Sequence, residues 1–192
     1  MQIQHVNVKL LVQGRVGDRD LEPLIPVFHN WIENQNGDEL LIDVADYRHV
    51  HGGPGIVLIG HEANYSLDNA GNRWGIRYNR KAILDGSNQD RLIQAARAAL
   101  TACHRLESEP RLGGKLQFDG REVELFVNDR LAAPNNAETR AAADPEFQQF
   151  FRKLFSGKEY SISYVSEPRA LFTANVKAAQ PFTAAELLSS LA

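Results

Sequence analysis

A chain of 192 residues with a formal net charge of −3 is long enough to bury a core without staples, and it carries no global attraction for nucleic acid or acidic membranes. Its single cysteine, Cys103, excludes an intramolecular disulfide, and 43% hydrophobic against 23% charged residues is the balance of an ordinary globular protein. No apolar run reaches the roughly 20 residues of a membrane span, and the N-terminus lacks a basic region leading into a long apolar run. A cytoplasmic protein with no membrane association is therefore expected.

The first strand is "VNVKLLV", in which Val6, Val8, Leu10 and Val12 alternate with Asn7, Lys9 and Leu11. In the segment that follows, Leu21, Leu24, Ile25, Phe28, Trp31 and Ile32 fall at helical spacing, and Gly37 reads as the stop. Pro26 does not suit a helix interior, so the regular helix is expected to begin near Leu24. "ELLIDVADY" reads as the second strand. "GIVLIGH" reads as a third, covered on both faces because its apolar run is unbroken. "GHEANYSLD" reads as the connection after it, and "RWGIRYNRKAIL" as a strand with a basic face. "SNQDRLIQAARAALTACHRLE" is predicted to be a helix capped by Ser87 and Asp90.

A hairpin turning at Asp119-Gly120 is expected to open the second half. A short helix follows from Asn135, and a second helix restarts at Asp144-Pro145 with Phe147, Phe150, Phe151, Leu154 and Phe155 on one face. "EYSISYV" and "ALFTANVKA" read as strands, and a closing helix is capped by Thr183 and Glu186.

"VKLLVQGR" (8–15) aligns without a gap to "VELFVNDR" (123–130), and each leads into a helix with aromatic anchors. The reading is an α+β fold formed by divergent duplication of a β-α-β-β-α unit of the split-βαβ, ferredoxin-like kind. Its sheet should be mainly antiparallel, with helices on one face. The two halves are placed at 1–110 and 111–192 and packed as one unit.

The chemistry-bearing residues concentrate in "DYRHVHGGPGIVLIGHEANY" (46–65). On an extended strand His49 and His51 would share a face and make a two-histidine metal site, with Asp46 a candidate third ligand. His61 is the candidate acid/base, with Glu62 or Asp68 as its partner. Tyr65, Arg73 and Arg77 are candidate ligand-binding residues, the arginines acting as counter-charges for a small anion. There is no P-loop, G-x-G-x-x-G, G-x-S-x-G or C-x-x-C, so the cofactor is left unassigned.

The leading expectation is a protein that binds a small anionic molecule or a metal ion near 46–65, with enzymatic activity open. The alternatives are an interaction subunit using a sheet edge or the Phe-rich helix, with homo-oligomerisation one form of it, and weak nucleic-acid binding through the basic strand at 73–81. The acidic net charge disfavours nucleic acid.

Overall fold

The computed structural model describes residues 1–35 and 39–192; the predicted stop at Gly37 lies outside the described residues. Strand β1 (Val6–Val12) is followed by a single helical turn, α1 (Asp18–Leu21), and by α2 (Leu24–Asn34). Pro26 sits in the first turn of α2, where its missing N–H costs no intrahelical bond. Four strands come next: β2 (Leu41–Tyr47), β3 (Gly55–Gly60), β4 (Ala63–Asp68) and β5 (Gly75–Arg80). α3 (Asn88–Glu107) closes the first half, and the second runs β6 (Phe118–Val127), α4 (Ala137–Leu154), β7 (Tyr160–Tyr164), β8 (Phe172–Ala178) and α5 (Ala184–Ser190).

The strands form one antiparallel sheet in the order β2-β3-β4-β5-β1-β6-β8-β7. The protein is thus α+β. β1 and β6 pair at the centre, and each starts a half in which a helix carries the chain to the sheet's outer edge before it meanders back. β6 and β7 run parallel with β8 between them, and β1 and β2 run parallel with three strands between them.

Three predicted elements differ. The segment 63–68, read as a connection, is strand β4, paired with β3 on one side and β5 on the other. Its polar composition hid it, since only Ala63, Tyr65 and Leu67 mark the period of two. Asp119-Gly120 is not a hairpin turn but a bulge inside β6, opposite Leu10 and Leu11 of β1. Asp119 accepts the Arg121 backbone N–H at 3.0 Å, and a Cβ on Gly120 would lie 2.3 Å from the Phe182 carbonyl oxygen. The glycine serves a close backbone approach rather than a reversal.

The two helices expected around Asp144 are one helix, α4, capped by Asn136 rather than Asn135. Pro145 is tolerated on its exposed side, and Ala141, whose carbonyl it leaves without its helical donor, is exposed as well. Asn135 instead donates to the Val165 and Glu167 carbonyls at the β7–β8 turn.

Val6, Val8 and Leu10 face the helices, together with Val123, Leu125 and Val127 of β6 and Phe172, Ala174 and Val176 of β8. Phe147 of α4 stacks on Phe172 at 5.7 Å. All five large apolar residues of the α4 face are interior, so that face is spent in the core.

The opposite sheet face is polar, yet its centre is buried. Lys9 is 1% exposed and donates to Asp68 at 2.6 Å. The two residues are two strands apart, and the Lys9 stem crosses β5 at Gly75, where a Cβ would lie 2.8 Å from the Lys9 Cε. Asp68 also accepts the Ala70 N–H and lies 3.9 Å from Arg77. The Arg77 guanidinium lies 4.5 Å from the Phe126 ring, so this pair spans β1 above Asn7, whose side-chain amide is fully buried without a hydrogen-bond partner.

Removing one partner of such a pair strands the other charge in a dry site. Lys9→Ala should therefore cost about 3–5 kcal/mol in urea denaturation, while Lys9→Met combined with Asp68→Leu recovers most of that loss. A single mutant as stable as wild type would show that the pair is not structural.

Burial raises the pKa of Glu124, which faces Lys9 on the same surface, above its usual 4.5. A carboxyl with a raised folded pKa contributes stability below its unfolded pKa and loses it as pH rises through the folded one. Glu124→Gln should flatten the fall in melting temperature above pH 4.5; an unchanged profile would remove Glu124 as its source.

Candidate functional site

A cavity follows from the width of the first half. α2 packs on β2 and β3, and α3 packs on β5 and β1. With strands about 4.8 Å apart, those two seats are about 14 Å apart, whereas packed helices sit about 8–10 Å apart. β4 lies between the two seats, and a cavity of about 670 Å³ opens above it. That volume falls within the range of small-molecule sites.

One wall is a ridge of α3 beside its apolar stripe, comprising Asp90, Ile93, Gln94, Arg97, Thr101 and Arg105. Trp31 of α2 forms the facing wall, with the Arg105 guanidinium 3.7 Å from its ring centroid. Tyr65 and Arg80 line the floor.

At the floor, the Glu39 carboxylate accepts from the Tyr65 hydroxyl and from the Tyr78 hydroxyl, each at 2.7 Å. Tyr65 and Tyr78 are direct cross-strand partners on β4 and β5, their ring centroids 5.1 Å apart. Burial, reinforced by the Glu39 charge, pushes both phenols well above the ordinary tyrosine range, so both stay protonated and donate. Gln94 donates to the Tyr78 oxygen at 2.9 Å. Arg80 lies 3.7 Å from Glu39 and donates to Glu62 at 3.1 Å.

The acids of the cavity are thus committed. Glu39 and Glu62 compensate Arg80, and Asp90 closes the α3 capping box with Ser87. Among the described residues no carboxylate lies within salt-bridge distance of Arg97 or Arg105. Burial lowers the pKa of Arg105, as expected for a cation drawn partly out of water.

The sequence-predicted residues divide between the two sheet faces. Glu62 and Tyr65 line the cavity. Asp68, Arg73 and Arg77 lie on the opposite face because a strand alternates its side chains: Tyr65 pairs with Tyr78, so Arg77 next to it points away. There Arg73 is engaged by Glu122 and Glu124, and Arg77 by Asp68. The basic strand is therefore matched by acids rather than presented as a bare cationic row.

His61 is exposed in the β3–β4 turn, apart from Asp68 at the far end of β4. His49 and His51 sit in the exposed turn between β2 and β3 rather than on a strand. Asp46 is clasped by Arg48 at 2.6 Å, whose hydrogen bonds hold its pKa down to about 2. Among the described residues no group of three His, Cys, Asp or Glu side chains comes together as a metal site.

Sequence reasoning missed Trp31, Glu39, Tyr78, Gln94, Arg97 and Arg105. The four-residue spacing of Arg97, Thr101 and Arg105 marks a polar ridge on one helix face and was legible. Glu39 was not, because nothing local brings it to β4 and β5. No family model matches the chain, and no curated protein or solved structure does either. Among the described residues no helix is long and apolar enough to cross a membrane.

Proposed function

We propose that the protein binds a small organic anion with an apolar body in the groove between α2 and α3. The single observation that carries this reading is the cavity of about 670 Å³ in which Arg97 and Arg105 stand on an apolar-backed wall with no acid among the described residues at contact distance. Trp31, Leu41, Leu84 and Ile93 offer the body a dry surface, and the guanidiniums offer paired N–H donors for a carboxylate or phosphate. Of the candidate acid/base residues, Glu62 lines this groove, which makes it the group to test first should a reaction be sought.

The divergent duplication belongs to the same reading. Its support is the central β1–β6 pair, flanked on each side by a helix crossover and a returning meander. On this view two additional strands widened the first copy until its helices no longer closed over β4.

A second reading, an interaction subunit, draws on the free edge of the sheet. β2 is an edge strand, and Leu40, Ile42 and Tyr47 are exposed on or beside it. Such an edge suits pairing with a strand from another chain, a second copy included.

The first reading is tested with 8-anilinonaphthalene-1-sulfonate, an apolar anion whose fluorescence rises in a dry site. One saturable site is expected in the folded protein. Hydrogen bonds to charged groups contribute about 1.5–3 kcal/mol, so Arg97→Ala and Arg105→Ala should each weaken binding roughly tenfold or more without a matching loss of stability. Binding that is absent, or indifferent to both substitutions, rejects the groove as an anion site. The edge reading predicts concentration-dependent association that Ile42→Lys abolishes, measured by sedimentation; a monomer at all concentrations and no strand-donating partner would dismiss it.

A further inference from the structure

Glu39 supplies the strongest clue to what the groove recognises. Its side chain projects from the segment before β2 onto donors that belong to two other strands, Tyr65 on β4 and Tyr78 on β5. Each phenol meets a different carboxylate oxygen, and Arg80 stands 3.7 Å from one of them. The donors are held independently of Glu39. Tyr78 is fully buried and is also bonded by Gln94, and Arg80 is anchored to the Ala82 carbonyl at 3.1 Å and to Glu62. The carboxylate is the part of this arrangement with the most freedom, because it ends a flexible side chain, whereas the phenols stand on paired strands.

We propose that Tyr65, Tyr78 and Arg80 form a carboxylate-binding cradle at the floor of the groove, and that Glu39 is a resident carboxylate which an incoming ligand carboxylate displaces. The inference rests on the groove being the binding site and adds the end group it selects. The ligand is then an organic acid whose apolar body lies along Trp31 and Ile93, with its carboxylate seated on the two phenols and any second anionic group toward Arg97 or Arg105. A neutral amide or alcohol of the same shape matches this site less well, because a carboxylate offers each phenol its own charged oxygen and also answers the guanidinium. Displacement of Glu39 lets its carboxylate turn to water and subtracts from the apparent affinity of the wild-type protein. Glu39 thus tunes affinity as well as specificity.

The test uses the full chain and simple carboxylates. Glu39→Ala should lower the melting temperature by leaving two phenolic donors unpaired, and sodium formate or acetate should restore it by several degrees beyond sodium chloride at matched ionic strength. Adding Tyr78→Phe should abolish that rescue. Glu39→Gln, which keeps an acceptor in the cradle and so guards against loss of folding, is read by binding. 2-Naphthoate should bind it about tenfold or more tighter than wild type, 2-naphthamide should bind both alike, and Tyr78→Phe should erase the gain.

If formate, acetate and chloride act alike and the naphthoate-to-naphthamide ratio is unchanged by Glu39→Gln, Glu39 is a structural acid and the cradle is overturned. The groove reading then stands or falls separately on anilinonaphthalene sulfonate binding to the wild type. If neither that dye nor naphthoate binds any of the proteins, both ideas fail together.

Discussion

The ion pair of Lys9 with Asp68 is the contact on which the sheet's arrangement turns, because it joins the first strand of the chain to β4 across the intervening β5. A fully buried ammonium is tolerable only with a carboxylate at contact distance, and Asp68 is that carboxylate. The reach between them is possible only because Gly75 leaves the path clear. Shifting β1, β5 or β4 by one residue would turn Lys9, Gly75 or Asp68 to the wrong face and leave a buried charge unpaired. The pair therefore specifies register across β1, β5 and β4, the inner strands of the first half.

Fixing that register on the polar face also fixes it on the other. With Lys9 and Asp68 turned away from the helices, Val8, Tyr78 and Tyr65 are turned toward them in one cross-strand row. Val8 and Tyr78 enter the core under α3, while Tyr65 stands at the floor of the space that α2 and α3 leave uncovered. The second half shows the contrast. There only β8 lies between β6 and β7, and the Phe-lined face of α4 packs on Phe172 of β8 and Tyr160 of β7. In the first half it is strand number, rather than any special loop, that leaves the groove open.

Within the candidate site, polar segments were the hard ones to place. The alternation in "RWGIRYNRK" correctly divided Arg73, Arg77 and Asn79 from Ile76 and Tyr78, and so already implied that Arg77 and Tyr78 serve different surfaces. What it could not show was which surface held a cavity. The row of hydrophilic residues that drew attention as a ligand platform proved to be an internally neutralised face, with Asp68, Glu122 and Glu124 set against Lys9, Arg73 and Arg77. The cluster of histidines at 49–61 drew attention by composition, yet two of its members lie in an exposed turn and the third at a strand end.

The sequence by itself determined the local elements whose signals are short-range: the capped helix α3, the strands β1, β3, β5, β7 and β8, and the closing α5 with its Thr183–Glu186 box. These depend on side-chain period and on hydrogen bonds that span three or four residues. Only the tertiary structure decided that Asp119-Gly120 bulges where a neighbouring backbone presses on it, that β4 is a strand at all, and that Glu39 meets two tyrosines 26 and 39 residues further along the chain. Each of those outcomes is set by a partner remote in sequence. Local pattern carries no information about which remote partner will arrive, since that choice belongs to the register of the whole sheet.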